Sequence, residues 1–300
     1  MWKNAIYSCY NSIGDMLMEI IAKRSGKLLE YLEENLDMPK KKIKDYLHFK
    51  SIFVDGVLTT KYDYEVHEGS KIVIDTKKKT RYVLPFNIIY EDSDIIVVSK
   101  PSGILTISDG KEDENTVYHL VSKYLKSKNH LAKVFVVHRL DKLTSGVLLL
   151  AKSEKIKDMY QEDWNKYSKR EYVAVVHGIP SKKEDRLVNK ISETKTHLSY
   201  ISKDGKEAVT NYKVIESTKN YSKLEIEIET GRKNQIRLQL KNIGNPIVGD
   251  QKYGINDGYK RLYLHAYKLS VYNKKEKKYH TYISKVPGEF NYLLKKDRCK

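Results

Sequence analysis

The sequence predicts an α+β protein in two parts: a small domain of two helices with short strands, then a larger body made chiefly of strands. Three observations carry this. Between residues 28 and 49, leucine and isoleucine recur at helical spacing, whereas many later apolar segments are short or alternate with period two. The charge run Lys77-Lys78-Lys79-Thr80 separates the two patterns. Val147–Ala151, preceded by Gly146, is an unbroken apolar run and reads as a strand buried on both faces.

Taken in order, residues 1–23 are weakly patterned. Ile13, Met16, Leu17, Ile20 and Ile21 predict one face of a short helix. Leu28, Leu29, Leu32 and Leu36 predict a helix ending near Asp37-Met38-Pro39. A second helix fits Lys40–Phe49, with Ile43, Tyr46 and Leu47 inward and Lys40, Lys41, Lys42 and Lys44 outward. Ile52-Phe53-Val54, a turn at Asp55-Gly56 and Val57-Leu58 read as a hairpin, and a strand over Lys71–Ile74 closes the unit. In the body, Ile88–Tyr90 and Ile95–Val98 flank an acidic turn, and Lys100-Pro101-Ser102-Gly103 stops the second strand. A helix over Val117–Tyr124, a strand over Val134–Val137 and a helix over Lys155–Lys166 surround the apolar run. Strands follow at Lys169–Gly178, across Glu193–Tyr212 and at Leu224–Ile228, then a helix in which Gln235, Ile236, Leu238 and Leu240 pack.

Composition narrows the function. Of the +17 net charge, residues 1–80 contribute 14 Lys+Arg against 12 Asp+Glu, and residues 81–300 contribute 42 against 27. An excess of +15 in the body calls for a polyanionic partner, with a Lys-rich compositional bias as the alternative. No apolar stretch approaches the roughly 20 residues of a membrane helix. Cys9 and Cys299, at opposite ends, have no metal-ligand spacing. A cytoplasmic monomer without metal is expected. Asp141 follows Arg139 and leads into the buried strand, so a rigid element would present its carboxylate; the alternative is a turn acid bonded to its own backbone.

His138-Arg139-Leu140-Asp141, followed by Thr144-Ser145-Gly146, resembles the H-R-L-D-x-x-T-S-G signature of the RluA-type pseudouridine synthases. Ile88–Gly103 is similar to that family's first block, and Lys169–Gly178 to its K-x-Y-x-A-x-V-x-G strand. Thr230–Leu240 is similar to its T-G-R-x-x-Q-I-R-x-x-L block, followed by Gly249-Asp250-x-x-Tyr253-Gly254 and Leu264-His265-Ala266. The resemblance spans roughly residues 84–270. It implies a mixed, mostly antiparallel sheet crossed by the cleft. It implies Asp141 as the catalytic residue, Tyr172 against the target uracil, Arg237 paired with Asp141, and Arg139 filling the place of a flipped nucleotide or clamping phosphate. Lys100 would be at most a phosphate or base contact. Where the family has Thr-His, His and His, this chain has Lys233-Asn234, Gln239 and Asn245, departures that bear on local RNA contacts.

The first part resembles the alpha-L RNA-binding domain first recognised in ribosomal protein S-four, through Leu28-Leu29-x-x-Leu32, the Lys run, Phe53–Gly56 and Val66–Ile72. That resemblance implies that Lys40, Lys41, Lys42, Lys44 and Lys50 line RNA. The expected organisation is residues 1–76 as extension and RNA-binding domain, 77–83 as linker and 84–300 as catalytic domain.

The implied reaction moves uracil from nitrogen to carbon attachment within the substrate, so it requires no cofactor. It requires a carboxylate able to form or stabilise an adduct, and a route for the proton on carbon five. Large-subunit ribosomal RNA is the expected substrate, with transfer RNA next. The sequence admits two other classes. A non-catalytic RNA-binding protein would tolerate loss of Asp141 or Arg237, and both are present. A hydrolase using Asp141 with His138 or His265 would need a second carboxylate or nucleophile, and none is placed by motif.

Overall fold

The computed structural model describes residues 7–10, 16–49, 51–75, 83–108, 110, 115–194, 196 and 198–299. The expected linker run Lys77–Thr80 and the expected RNA contact Lys50 lie outside them, as does Ile13. The chain divides into two compact units, residues 1–83 with 127–130 and residues 84–126 with 131–300.

The first unit contains β1 (Tyr7–Tyr10), β2 (Met16–Ile21), β3 (Gly26–Lys27), α1 (Leu28–Asn35), α2 (Lys40–His48), β4 (Ile52–Val54), β5 (Val57–Thr59), β6 (Glu65–Val66) and β7 (Lys71–Asp75). Its antiparallel sheet runs β1-β2-β7-β4-β5, and β3 pairs with β6. Leu28, Leu32, Ile43, Leu47, Ile72 and Ile74 meet in one core, which is what the helical spacing of the leucines demands. Residues 16–21 correct the expected helix. Ile20 pairs with Ile72 and Met18 with Ile74, so alternate residues join the core while Ile21 stays 51% exposed. Pairing with an existing strand outweighs a weak helical pattern.

The second unit contains β8 (Ile88–Glu91), β9 (Ile95–Lys100), α3 (Val117–Lys128), β10 (Phe135–Val136), β11 (Ser145–Ala151), α4 (Glu154–Gln161), α5 (Trp164–Tyr167), β12 (Ser168–His177), β13 (Glu184–Glu193), β14 (Ser199–Ile201), β15 (Lys206–Ser217), β16 (Tyr221–Ile228), α6 (Gln235–Asn242), β17 (Leu264–Asn273), β18 (Lys278–Ile283) and α7 (Gly288–Arg298). Among the described residues an 11-stranded sheet runs β14-β13-β15-β16-β12-β17-β11-β9-β8, with β10 beside β11 and β18 beside β17. Every pairing is antiparallel except β11 with β17. The sheet is therefore mixed and mostly antiparallel, as expected.

All seven residues of β11 are buried, which explains why its sequence carries no alternation. The expected helix over 155–166 is two. Asp163 takes a left-handed conformation (φ 53°) between α4 and α5, and Trp164 then stacks on His138 with ring centres 4.9 Å apart. Asp94 and the acidic turn hold the other end of the run: Lys152 donates its backbone N–H to the Asp94 carbonyl at 2.8 Å.

The two halves of the sheet join at a narrow seam. Strand β11 pairs with β17 only through Ser145↔His265 and Gly146↔Ala266, four and five residues beyond Asp141. Gly146 has φ +124°, and a Cβ there would lie 2.1 Å from the Ala266 carbonyl oxygen. Gly146→Ala therefore combines backbone strain with a clash against main chain, and should destabilise by on the order of 3 kcal/mol or more. Urea denaturation checks this; a loss under about 1 kcal/mol would mean the seam opens freely.

Candidate active site

Asp141 sits where the loop after β10 turns into β11. Its backbone carbonyl closes the turn by accepting from Thr144 N–H at 3.1 Å, so its carboxylate is not the turn's own acceptor. The loop is gripped from the opposite corner of the sequence, at residues 100–106. Thr106 Oγ1 donates to the Leu140 carbonyl at 2.9 Å and accepts from Leu140 N–H at 3.2 Å. Ser102 Oγ donates to the Leu143 carbonyl at 2.6 Å. Lys100 Nζ donates to the carbonyls of Pro101, Ile104 and Lys142 at 3.1, 2.7 and 3.1 Å.

Lys100 thus corrects an expectation. It is 0% exposed and cannot reach a phosphate. The Lys-Pro-x-Gly corner is a clamp on the Asp141 loop: the ammonium binds three carbonyls, and the Lys142 carbonyl also accepts from Gly103 N–H at 2.8 Å. Burial pulls the Lys100 ammonium down to about 7, and the Asp141 charge pulls the other way.

Arg237 corrects a second expectation. Its fork is taken by Asp250, with Nε to Oδ2 at 2.8 Å and Nη2 to Oδ1 at 2.6 Å. The remaining Nη1 donates to Asn234 Oδ1 at 2.8 Å and lies 3.9 Å from Asp141 Oδ2. Asp141 therefore feels the charge without receiving the fork. The reason is local. Asp250 is 1% exposed and stands on a tight turn whose Lys252 and Tyr253 N–H groups already bind its Oδ1 at 3.0 Å each. That prepositioned carboxylate offers a buried guanidinium the bidentate geometry it favours.

Helix α6 is built to deliver Arg237. Thr230 Oγ1 and Arg232 N–H both donate to Gln235 Oε1, at 2.8 and 2.9 Å, while Gln235 Nε2 donates to Val209 O and Thr210 Oγ1 at 2.9 Å each. Thr230 and Gln235 thereby lash the helix start to β15. Asn234 precedes the helix at φ 56°, a left-handed conformation that asparagine tolerates better than most residues. Its Nδ2 donates to Tyr253 OH at 3.1 Å. Gln239 Nε2 lies within hydrogen-bond distance of Leu187 O, Ala208 O and Asn189 Oδ1, and Asn245 Nδ2 donates to His177 O. Asn234, Gln239 and Asn245 are 7%, 0% and 7% exposed. These departures belong to the interior packing rather than to RNA contacts. Lys233 alone of the four is exposed.

The electrostatics of Asp141 are a contest. Its side chain keeps 32% of its accessible surface, yet desolvation raises its pKa, and Arg237, Lys100, Lys233 and Lys252 each lower it, in that order. Desolvation wins. Tyr172, in the centre of β12, is 9% exposed. Burial pushes its hydroxyl up to about 12, with the Asp141 charge adding to the rise and Arg170 opposing it, so Tyr172 stays protonated. Arg139 is exposed on the Asp141 loop. Lys40, Lys41, Lys42 and Lys44 are exposed along α2 of the first unit, with Lys40 paired to Glu33 at 2.9 Å and Lys44 5.8 Å from the Tyr62 ring centre.

Neither histidine of the hydrolase reading is available for proton transfer. His138 Nε2 accepts from Leu149 N–H at 3.1 Å, and burial lowers its pKa to about 3, with Arg170 adding to the fall. His265 Nε2 faces the Ser284 carbonyl at 3.0 Å and must donate to it. Its Nδ1 then accepts from Ser145 Oγ at 2.9 Å, and burial holds the ring at about 4. A hollow of about 470 Å³ over β12, β13, β15 and β16 includes neither Asp141 nor Arg237. Its lining includes Tyr172, with Glu171, Glu184, Asp185, Glu225 and Glu227 outnumbering Arg186 and Lys213, a net acidic surface poorly suited to a polyanion.

Asp250 and Asn234 carry no role that their own sequence neighbourhood reveals. The Gly249-Asp250-x-x-Tyr253 block is visible there, but only the fold brings it within reach of Arg237.

Residues 94–242 match the family model described as RNA pseudouridylate synthase. The ribosomal large subunit pseudouridine synthase D of Pasteurella multocida is 31% identical over 79% of this chain and 76% of its own length. The protein of the same name from Borreliella burgdorferi is 32% identical over 82% and 76%. The solved structure of human RNA pseudouridylate synthase domain containing 4 shares the fold, with a TM-score of 0.60 at 22% identity over 71% of this chain and 93% of that one. On the strength of these relatives and the family model, this chain belongs to the RluA-type RNA pseudouridine synthases, isomerases that act on RNA.

Proposed function

We propose that this chain converts uridines of large-subunit ribosomal RNA to pseudouridine in the cytoplasm, with Asp141 as the reacting carboxylate. The observation that carries the reading is the carboxylate itself. It is unused by its own turn, desolvated, still 32% exposed and 3.9 Å from a buried guanidinium. The ribosomal assignment rests on the relatives' names.

In the reaction the bond from uracil N1 to ribose C1′ breaks, and a bond from C5 to C1′ forms. The proton on C5 leaves and N1 takes one up, so nothing is gained or lost. Asp141 stabilises the separated fragments as an adduct or ion partner. Its loop is fixed through backbone bonds, so the carboxylate meets the substrate with little reorganisation. Tyr172 packs the uracil and keeps its hydroxyl proton available for hydrogen bonding. Arg237 helps keep Asp141 ionised. A uridine inside folded RNA must first be extruded, and Arg139, exposed beside Asp141, takes up the vacated position or an adjoining phosphate.

Deleting the gene and mapping pseudouridine across cellular RNA tests this. Sites in large-subunit ribosomal RNA should vanish and return with the wild-type gene, but not with Asp141→Asn. Losses confined to transfer RNA would move the substrate, and rescue by Asp141→Asn would overturn the role of Asp141.

We assign the first unit the role of an alpha-L-type RNA grip through Lys40, Lys41, Lys42 and Lys44. Changing the four to Gln in the full chain should flatten the dependence of log K on log salt by roughly 0.7–0.9 for each phosphate left without its lysine. Filter binding across a salt series measures it, and an unchanged slope would remove the α2 face from the RNA interface.

A further inference from the structure

Four cations bias Asp141, and they fall into two kinds. Arg237 and Lys100 are buried and held by protein acceptors. Lys233 and Lys252 are exposed.

The two exposed lysines spring from opposite sides of one guanidinium. Lys233 immediately precedes Asn234, whose Oδ1 accepts from Arg237 Nη1 at 2.8 Å. Lys252 donates its backbone N–H to Asp250 Oδ1 at 3.0 Å, the same oxygen that accepts from Arg237 Nη2 at 2.6 Å. Lys233 is thus one residue from a side chain bound to Arg237, and the Lys252 backbone is bonded to the carboxylate that holds the Arg237 fork, the guanidinium lying 3.9 Å from Asp141. The Lys252 ammonium lies 5.2 Å from the Tyr253 ring centre, and the Arg237 guanidinium carbon lies 5.0 Å from the same centre. The Lys233 ammonium rests on Glu193, in a pair whose side chains are 42% and 39% exposed. An exposed pair of this kind contributes little, so a phosphate can replace the carboxylate at small cost.

We propose that Lys233 and Lys252 form a phosphate clamp at the rim of the Asp141 cleft, holding the RNA backbone on either side of the extruded uridine. The proposal rests on the reading of Asp141 as the reacting group. A nucleotide brought to that carboxylate carries its two flanking phosphates to the cleft mouth. Flexible point charges there accept a range of backbone geometries, as an extruding nucleotide requires. A plain surface lysine in a basic chain would share none of this anchoring, which gives the control.

The test uses in vitro transcribed, unmodified large-subunit ribosomal RNA. Lys233→Gln, Lys252→Gln, the double change and the control Lys219→Gln, exposed in the turn between β15 and β16, are each made in wild-type and Asp141→Asn proteins. Binding is measured in the Asp141→Asn background, where turnover does not intrude. Each rim change should flatten the salt slope by roughly 0.7–0.9, and the double change by about twice that. In single-turnover reactions the double variant should need on the order of tenfold more enzyme for half-saturation, with the loss in half-saturation rather than in the rate at saturation. The double Lys→Arg change should restore both readouts. Behaviour matching Lys219→Gln would overturn the clamp. So would a fall in the saturating rate with unchanged half-saturation, which would mean that the lysines only tune Asp141. Full activity of Asp141→Asn is a different result: it would sink the catalytic reading, while the binding slopes would still report on the rim.

Discussion

Asp141→Asn should fold, bind RNA and make no measurable pseudouridine, a fall in single-turnover rate on the order of 10⁴-fold or more, the scale of losing a reacting group. The fold survives because nothing that holds the loop uses the carboxylate: the grip comes from Lys100, Ser102 and Thr106 on backbone groups. Stability should not suffer either, and the sign follows from the direction of the pKa. Asp141 is raised above its ordinary value, so the folded state holds its proton more tightly than the unfolded state. Wild-type stability then falls as pH rises from the unfolded pKa, about 3.9, through the folded one. At neutral pH, Asp141→Asn should be as stable as wild type or more so, with any advantage shrinking on acidification. An active site that spends stability on a desolvated charge behaves this way. Paired urea titrations at neutral and acid pH, alongside single-turnover assays, check it. A stable variant converting uridine at a rate near wild type would remove Asp141 from the chemistry.

What is legible in the sequence depends on whether the controlling partner lies nearby along the chain. The apolar run of β11 and the leucines of α1 declare themselves, because burial on both faces or one helical face leaves a direct periodic trace. Asp141 stands out through its neighbours, Arg139 and Thr144-Ser145-Gly146. Strand β2 reads as a helix because Met18 and Ile20 owe their conformation to Ile74 and Ile72, more than fifty residues away. Lys100 looks like a surface cation because lysine usually is one. Only the fold turns its ammonium onto three carbonyls, one of them Lys142 O beside Asp141. The replacements Asn234, Gln239 and Asn245 suggest RNA contacts because the motifs around them are functional ones, yet all three face inward.

Arg237→Met should lower stability by about 3–5 kcal/mol at neutral pH, because it strips the partner from a buried pair rather than removing the pair. Asp250 is 1% exposed and receives both arms of the fork. Its backbone bonds to Lys252 and Tyr253 remain in the variant, but the buried charge loses its cation. In wild type, desolvation acts to raise the Asp250 pKa, but bonding and attraction to Arg237 help bring it below its ordinary value. A lowered carboxylate contributes stability that is present above its unfolded pKa and fades as pH falls through the folded one. The deficit of Arg237→Met should accordingly be largest near neutrality and shrink in acid. Asp250→Asn alone should also destabilise, by leaving a buried guanidinium short of charge. The double variant should lose less than the sum of the singles, with a coupling of at least about 1 kcal/mol. Arg237→Lys should fall between wild type and Met, since one ammonium cannot reproduce two parallel bonds. Asp141 supplies an independent signature. Losing its foremost cation removes the main force opposing desolvation, so the acid limb of single-turnover activity should move to higher pH in Arg237→Met, protonated Asp141 being inactive. Urea titrations across pH measure the first effect and a pH–rate series the second. Additive single-variant losses would dissolve the Arg237–Asp250 unit, and an unmoved acid limb would show that Arg237 does not set the charge on Asp141.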